Sequence, residues 1–415
     1  PDLRFGKDRD YVDAFFDIYA EAVRCRVGDG SSVGLSLSGG LDSGSVAALA
    51  AQALKTSGKR LQAFSSIPIH DVNDFSMKGR FADESEYIRE TARHAGAVDI
   101  NWVRSEHRSP IQAMREVIAW NGTLPLSAVN LYWLLSMFEM ARDKGIRTFL
   151  LGQIGNATVS WRGGFDGLID GGGWFNYLRQ HGFVSPVALA RSFKRYMIVP
   201  MLPGSYHRYR QRRMDPKIHW KTYSPINNNF ADSLPLLETM NERGRMVVHE
   251  KGRCQREKKL HLIKPREASF SLFWSELGHR HGIWVTDPTA DKRMLEFCVS
   301  IPSDQYYRKG VDKYLFRRAF ANILPDKVLN SELRGQQAAD LPQRLKQEIS
   351  EVRDVVKSFK QSELCHRYMD LAKIETSLKG LEQNHPFFFR DQCGILTRGL
   401  MVGLFLTHVE GSPFN

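Results

Sequence analysis

The amino-acid sequence predicts an α/β protein with a doubly wound parallel sheet, because strand patterns alternate with helical patterns between residues 30 and 155. Residues 32–37 form a short apolar run that predicts a buried strand, and residues 46–54 carry apolar side chains at helical spacing. A glycine turn joins these two segments. Further strands are predicted in three short apolar runs, residues 61–67, 97–103 and 147–151.

Helices are predicted before, between and after these strands. Apolar residues recur at intervals of three and four in three segments, 10–26, 110–120 and 131–143. Asp83 and Glu86 have the spacing of a capping box, which predicts the start of another helix. From about residue 268 onward the pattern is helical to the end of the sequence.

Composition and charge narrow the class of protein. The chain has 415 residues, of which 42% are hydrophobic and 25% charged, and its length allows two or three domains. The formal net charge of +12 attracts anionic partners such as nucleotides, nucleic acid or acidic peptides. The longest apolar stretch, residues 394–409, contains Arg398 and His408 and is shorter than a membrane span. We therefore expect no membrane segment, and we find no signal peptide.

The cysteines predict a reducing environment. They are five in number, scattered, and include no CxxC pair. This pattern argues against a disulfide framework and against a thiolate zinc site. We therefore expect a cytoplasmic location.

The strongest motif lies between the first predicted strand and the following helix, and it comprises Ser38, Gly39, Gly40, Leu41, Asp42 and Ser43. Glycines let the backbone approach a ligand closely, and the start of a helix offers free amide hydrogens to an anion. Ser38 and Ser43 can add hydroxyl donors, and the carboxylate of Asp42 suits Mg²⁺. Because no lysine follows the glycines, the motif is not a Walker A loop. It predicts a pyrophosphate-binding pocket.

This hexapeptide resembles the pyrophosphate loop of the N-type ATP pyrophosphatases, which split ATP into AMP and pyrophosphate. Residues 284–302 and 313–317 resemble the PFLD segment and the K-x-x-[LF]-R segment of asparagine synthetases. The resemblance covers about residues 10–342. It implies the α/β sheet of the N-type ATP pyrophosphatases with added helices. It also implies an AMP-forming ligase that adenylates a carboxylate and joins it to an amine.

The same resemblance implies ATP and Mg²⁺ as cofactors and assigns the site residues. Lys313 and Asp42 are the implied catalytic residues. The residues predicted to bind ATP and pyrophosphate are Ser38, Gly39, Gly40, Leu41, Asp42, Ser43, Ser65, Gly152, Gln153 and Lys313. Asp42 is the predicted metal ligand.

Lys313 is also unusual by its position in the sequence. Asp312 predicts a helix cap, so Lys313 would fall in the first turn, where a cation opposes the helix dipole. A cation there suggests an anionic partner, and the family's lysine stabilises negative charge during amide formation. Asp287, before Pro288, is interpreted as another helix cap, which leaves little reason to expect Asp287 or Asp291 to be a ligand.

Two departures from asparagine synthetases carry information. Those enzymes begin with a glutaminase domain that releases ammonia, and nothing in this sequence resembles it, so we expect another source of amine. Their second metal-side loop usually reads G-x-G-A-D-E, whereas residues 152–161 have Asn156 and Ala157 in place of the acidic pair. A neutral amide binds magnesium more weakly than a carboxylate, so Asn156 is the weaker candidate metal ligand.

Residues 152–161, with Asn156 in place of an acidic residue, resemble the corresponding loop of lasso-peptide cyclases. Residues 286–293 and residues 334–340, which read RGQQAAD, also resemble segments of those enzymes. Those enzymes activate an Asp or Glu side chain of a precursor peptide, and the N-terminal amine of the peptide closes a macrolactam ring. The resemblance implies three partners, namely a precursor core peptide, a leader-binding protein and a leader protease.

Other functions are compatible with the same motifs. One is an asparagine-synthetase-like or β-lactam-forming synthetase that acts on a small molecule. Another is a tRNA-modifying ATP pyrophosphatase, for which the basic and aromatic segment 206–223 is the best support. A charged stretch is more often a solvated face, so nucleic acid is not the expected partner. A binding scaffold without activity is the third.

The sequence divides into four predicted segments: an ATP-pyrophosphatase core at 1–165, an irregular basic insert at 166–265, a return to the synthetase core at 266–345, and C-terminal helices at 346–415. The insert is a candidate substrate-binding region. The base that accepts the amine proton is not identifiable, and capping is sufficient to explain Asp83 and Glu84 near a helix start.

Overall fold

The computed structural model describes twelve stretches of the chain: 3–28, 32–72, 79–124, 127–163, 186–194, 198–199, 202–203, 206, 220–236, 259–260, 268–383 and 392–411. Its strands are β1 (Val33–Ser36), β2 (Leu61–Ser66), β3 (Arg80–Phe81), β4 (Val98–Val103), β5 (Thr148–Leu150), β6 (Trp284–Thr286), β7 (Tyr307–Arg308), β8 (Val311–Asp312) and β9 (Arg334–Gly335). Five of them form a parallel sheet in the order β4-β2-β1-β5-β6. The predicted parallel α/β sheet is therefore confirmed.

The helices in the described part of the chain are α1 (Asp8–Val27), α2 (Leu41–Lys55), α3 (Ser85–Ala95), α4 (Pro110–Asn121), α5 (Leu131–Asp143), α6 (Pro186–Phe193), α7 (Trp220–Tyr223), α8 (Asn228–Asp232), α9 (Ala268–Arg280), α10 (Lys292–Ser300), α11 (Tyr314–Ala319), α12 (Asp326–Leu329), α13 (Leu341–Gln347), α14 (Ile349–Ser358), α15 (Glu363–Tyr368), α16 (Leu371–Glu382) and α17 (Cys393–Glu410). None of them is long and apolar enough to cross a membrane.

Helices cover both faces of the sheet, which makes it doubly wound. Ala63 and Leu150 belong to one hydrophobic cluster, and their neighbours Phe64 and Phe149 belong to the other. Because successive strand residues point to opposite faces, the two clusters lie on opposite sides of the sheet. Helices α1, α2, α10 and α11 supply one cluster, whereas α4, α5, α9 and the helices from α13 to α17 supply the other.

Two sequence predictions about these elements are wrong. The helical pattern from residue 268 onward is interrupted by β6, which is the fifth strand of the sheet, and by the β7–β8 hairpin. These strands have two or three residues each, which is too few to show a periodicity. The predicted capping box does not form either, because Asp83 Oδ1 accepts from Ser85 N at 2.8 Å and Glu86 pairs with Lys327.

Two other predictions remain open. The basic and aromatic segment 206–223 lies outside the described residues except for Tyr206 and residues 220–223. The division into four segments also stays a prediction, although α17, from the last segment, packs on α4, from the first.

Candidate active site

The predicted site residues meet at the point where the strand order reverses. The chain runs from β1 outward to β2 and β4, and then returns to place β5 on the other side of β1. The carboxyl ends of β1 and β5 therefore lie side by side where the strand order reverses, which is the place where open α/β sheets bind ligands. Residues 38–43 follow β1, residues 152–161 follow β5, and residues 287–291 follow β6.

The pyrophosphate loop turns directly into α2. Helix α2 begins at Leu41, and its N-cap is Gly40, which has no side chain to cap the first turn. The two serines close the loop, because Ser43 Oγ accepts from Ser38 N at 3.0 Å and lies 2.8 Å from Ser38 Oγ. The amides at the start of α2 thus meet no capping side chain, which is the arrangement that binds anions.

Two glycines of the loop after β5 allow it to pack against Asp42. A Cβ atom on Gly155 would lie 2.3 Å from Asp42 Oδ1, and one on Gly152 would lie 2.8 Å from Ser43 N. Real Cβ atoms do not approach so closely, so any larger residue would push the two loops apart. Gly152 therefore lies against the pyrophosphate loop, and its predicted role in binding ATP and pyrophosphate stays a prediction.

Asp42 is suited to a cation. Burial raises the pKa of Asp42 to about 6, and the nearby Ser160 hydroxyl and Lys313 ammonium oppose this rise. Among the described residues, Asp42 Oδ1 and Ser160 Oγ are both buried and have no hydrogen-bond partner. A buried carboxylate oxygen without a partner fits a hard cation such as Mg²⁺, which commonly takes one or two protein carboxylates together with substrate phosphates and waters.

Asn156 lies on the same loop, within the 3₁₀ turn Gly155–Ala157, and is exposed. In the described ranges no group of three or more His, Cys, Asp or Glu side chains is arranged so that it could hold a metal ion. The assignment of Asn156 as a second metal ligand therefore stays a prediction.

Asp287 fastens the loop after β5. Its Oδ2 atom accepts from Gln153 N and Ile154 N, both at 2.9 Å, while Oδ1 accepts from Thr289 N at 2.8 Å and Thr289 Oγ1 at 2.6 Å. The predicted capping role is confirmed, and the same carboxylate also binds the loop that contacts Asp42. Its hydrogen bonds occupy both oxygens, which agrees with a structural role.

Asp291 is also structural. It caps α10 by accepting from Arg293 N at 2.9 Å, and it pairs with Arg26 at 2.7 Å and with the Arg293 guanidinium at 3.0 Å. Hydrogen bonds from Arg293 and Arg26 hold the pKa of Asp291 well below its usual range. Asp291 therefore remains ionised, and both of its ion-pair partners are arginines.

Lys313 lies at the start of α11, but not in its first turn as predicted. Lys313 is itself the N-cap residue, with left-handed backbone angles of φ 52° and ψ 33°. Asp312 belongs to β8 and pairs with Arg162 at 2.7 Å and Arg317 at 3.1 Å, so it does not cap the helix. Because Asp312 is the last residue of the β7–β8 hairpin, the turn into α11 falls on Lys313.

The ammonium of Lys313 makes no salt bridge or hydrogen bond within the part of the chain that the structure describes, and its side chain is partly buried. Burial lowers the pKa of Lys313, the charges of Asp42 and Asp312 oppose this, and Arg317 and Arg334 reinforce it. Lys313 and Asp42 therefore interact electrostatically at the site. Together with Arg334, Lys313 makes its edge positive, as a polyphosphate requires.

Three predicted nucleotide-binding residues have supporting positions. Ser65 has no exposed surface, and its hydroxyl donates to Leu37 O at 2.8 Å, so it holds the base of the loop from behind. Leu41 is buried in the hydrophobic cluster beside α1. Gln153 donates its backbone amide to Asp287 and leaves its side chain exposed.

Glu84 is the site residue that the sequence did not reveal. It is the N-cap residue of α3, yet its side chain makes no capping hydrogen bond, which corrects the prediction that capping explains it. Its carboxylate instead accepts from the amide of Gly39 in the pyrophosphate loop, 45 residues away. Burial raises the pKa of Glu84. Contacts of this range leave no local pattern in a sequence.

The RGQQAAD segment forms another wall of the site. Arg334 and Gly335 pair with β3, and Gln337 Oε1 accepts from Asn130 Nδ2 at 2.9 Å. Asp340, at the end of the segment, accepts from Ile69 N at 2.9 Å and from Arg344 Nε at 3.0 Å. These contacts fix the segment beside the ends of the central strands.

Comparisons with known proteins agree with this geometry. The asparagine synthase family matches residues 16–407, which is most of the chain. Over 136 residues the chain is 29% identical to Amidase chyE of Penicillium rubens and 30% identical to Amidase chry2 of Gibberella zeae. Each of these matches covers 32% of this chain and 20% of the relative, so the chain spans about a fifth of the length of these relatives.

The family match extends over the pyrophosphate loop, the loop after β5 and Lys313 alike. The matched range therefore includes the helix start, the buried carboxylate of Asp42 and the Lys313 ammonium that border the crevice. This protein belongs to the asparagine synthase family.

Proposed function

We propose that this protein closes a macrolactam ring in a lasso peptide. It adenylates an Asp or Glu side chain of a precursor peptide, joins it to the N-terminal amine of the same peptide, and releases AMP and pyrophosphate. The observation that carries the proposal is that one of the three segments that resemble lasso-peptide cyclases packs on the pyrophosphate loop, and the other two contact residues that touch this loop. Gly155 packs on Asp42, Asp287 holds the loop of Gly155, and Gly335 lies against the carboxylate that binds Gly39.

The chemistry needs two steps. In the first, a carboxylate oxygen of the peptide attacks the α-phosphorus of ATP, and the bond to the pyrophosphate oxygen breaks. In the second, the amine attacks the carbonyl carbon, AMP leaves, and the amine loses a proton. Mg²⁺ bound at Asp42 would neutralise charge on the leaving pyrophosphate.

The residues of the chain supply binding and electrostatics. The start of α2 and the glycines of the loop would bind the pyrophosphate, and the Lys313 ammonium would stabilise the negative charge that grows during bond cleavage and amide formation. An amine on the same peptide reacts at a high effective concentration, and enforced proximity can lower a barrier by about 7–11 kcal/mol. The tethered amine can thereby compete with hydrolysis of the adenylate.

The test is mass spectrometry of a leaderless core peptide. The peptide is incubated with ATP, Mg²⁺, this protein, and its leader protease and leader-binding partners. We expect a product lighter by one water with a blocked N-terminus, together with AMP and pyrophosphate. Asp42→Ala should abolish all three, and acetylation of the peptide N-terminus should prevent ring closure.

Two results would contradict the proposal. If dehydration requires added glutamine or ammonium, the protein acts as an asparagine-synthetase-like enzyme on an external amine. If ADP and phosphate form in place of AMP and pyrophosphate, the adenylation step is wrong.

A further inference from the structure

Glu84 connects two elements of the active site that are remote in sequence. It precedes α3, but its carboxylate turns away from that helix and accepts from Gly39 N–H. Gly39 lies between Ser38 and Gly40. In this turn of the pyrophosphate loop Gly40 N donates to Ser38 Oγ, and Ser38 N donates to Ser43 Oγ. The orientation of this amide thus depends on Glu84.

The other side of the same carboxylate touches β9. A Cβ atom on Gly335 would lie only 1.7 Å from Glu84 Oε1, so the carboxylate fits against β9 only because residue 335 is glycine. Pairing with β3 holds the strand there, and Gln336 N donates to Phe81 O at 2.9 Å. Phe81 stacks on Tyr87 of α3 with ring centroids 4.7 Å apart, which fixes the turn that carries Glu84.

Glu84 forms no ion pair with a Lys or Arg within the described ranges. Its side chain is half-buried, and Lys327 of α12 pairs with the exposed Glu86 instead. Removing a carboxylate from water without a counter-charge opposes folding. Because this burial of the Glu84 carboxylate is unfavourable for folding, we expect the carboxylate to have a role at the adjacent ATP site.

We infer that Glu84 is a positioning residue for the nucleotide: it fixes Gly39 of the pyrophosphate loop against Gly335, and thereby sets the separation between that loop and the strand that carries Arg334. Arg334 lies close enough to Lys313 for their charges to interact. Both cations then act on the triphosphate that the loop holds. The inference rests on the use of ATP in the proposed function, but it does not depend on which amine the enzyme uses.

The test compares variants of Glu84 and Gly335. Glu84→Gln keeps an oxygen that can accept from Gly39 N–H, so its KM for ATP should stay within about threefold of wild type. Glu84→Ala removes the acceptor, and the loss of a hydrogen bond to a charged group predicts a rise of about 10- to 100-fold in this KM, with a smaller change in kcat. Gly335→Ala should reproduce the Glu84→Ala result, because its Cβ displaces the carboxylate.

The matched control is Glu86→Ala, a change of the same kind two residues along the same chain at an exposed position, which should leave the KM for ATP unchanged. Thermal melting of each variant shows whether it is folded. If Glu84→Ala does not fold, Glu84→Asp carries the test, since it keeps the charge but withdraws the carboxylate by one methylene. The expected result is the same rise in KM.

Isothermal titration with ATP in the absence of peptide separates this inference from the proposed function. Wild-type protein that binds ATP but forms no ring contradicts only the peptide assignment. Folded Glu84→Ala and Gly335→Ala proteins with wild-type affinity for ATP would overturn the positioning role. A Glu84→Gln variant that binds ATP normally but has lost kcat would overturn it too, because Glu84 would then be a proton acceptor.

Discussion

At the scale of single residues, Lys313 and Asp42 carry the opposite charges of the site. The left-handed backbone at Lys313 directs a side chain that has no ion pair in the described part of the chain toward the neighbourhood of Asp42. Such a backbone conformation costs about 1 kcal/mol or more outside glycine, and it is typical of functional positions.

The first prediction at this scale concerns Lys313→Ala. The variant should fold and bind ATP, but product formation should fall by about 10²- to 10³-fold or more, because a preorganised charge acts mainly on the transition state. Single-turnover kinetics together with ATP titration measure the two effects separately. Near-normal turnover in the folded variant would show that Lys313 is only a surface residue.

A second prediction concerns Asn156. If its amide oxygen faces metal-bound water or substrate, Asn156→Ala should reduce activity more than Asn156→Asp, which keeps an oxygen at the same place. Pyrophosphate release at saturating Mg²⁺ provides the comparison. The reverse order of activities would mean that residue 156 has no part in the metal site.

Lys259 gives a prediction about stability. It is only 3% exposed, donates to Cys298 O at 2.8 Å, and lies 3.3 Å from the centroid of the Tyr306 ring. Burial lowers the pKa of Lys259 from 10.5 to about 7. Between these two pH values the unfolded chain binds more protons at this residue than the folded chain, so the contribution of Lys259 to stability rises with pH.

Lys259→Met removes this titration. The unfolding free energy of wild type minus that of the variant should increase by about 3 kcal/mol between pH 7 and 10, since one pKa unit corresponds to about 1.4 kcal/mol. Urea denaturation of both proteins at several pH values measures the difference, in which the titration of other groups cancels. A difference that does not vary with pH would contradict the burial of an uncharged lysine.

At the scale of elements, the close packing of two loops places Asp42. The loop after β5 approaches the start of α2 only because Gly152 and Gly155 lack side chains, and Asp287 binds the same loop from β6. Three strands thus contribute one segment each to a single crevice.

Gly155→Ala tests this packing. The new methyl group must displace the Asp42 carboxylate, and a displacement of about 1 Å at a reacting group can cost about 10²-fold in rate. We expect a loss of that order in ATP cleavage. Gly6→Ala is the matched control, because a Cβ on Gly6 meets nothing within 4 Å. Equal activities of the two variants would show that Asp42 tolerates the displacement.

At the scale of the whole molecule, a buried ion pair joins the C-terminal helices to the sheet. Arg344 pairs with Asp340 at 3.0 Å and donates to the carbonyls of Arg104 and Ser105, which follow β4, at 2.7 Å each. Both side chains of the pair are at most 5% exposed. The pair anchors the RGQQAAD segment at the edge of the active site.

Arg344→Met should therefore destabilise the protein by about 3–5 kcal/mol, because it leaves the buried Asp340 carboxylate without its cation. The control is Arg353→Met, which removes an exposed pair with Glu382 and should cost about 1 kcal/mol or less. Denaturant titration compares the two variants. Equal losses of stability in the two variants would mean that the buried pair does not stabilise the contact between the C-terminal helices and the sheet.

The sequence was sufficient where the determinants are local. Strands β2 and β4 and helix α5 lie within one residue of their predicted bounds, because apolar periodicity over six to thirteen residues reflects burial directly. The turn from β1 into α2 was equally predictable, since a strand, two glycines and a helix start form one continuous motif. Helix α2 begins five residues earlier than the periodicity indicated, inside the motif, because glycine and polar residues there carry no apolar signal.

Long-range contacts were decided by the tertiary structure alone. Glu84 meets Gly39 across 45 residues, Asp287 meets Gln153 across 134, and the three-residue strand β6 exists only because β5 pairs with it. By itself, the sequence determined the fold class, and it identified Asp42 and Lys313 as candidate catalytic residues. The fold then determined which backbone amides and carboxylates surround them, because hydrogen bonds between distant segments depend on chain geometry and not on local pattern.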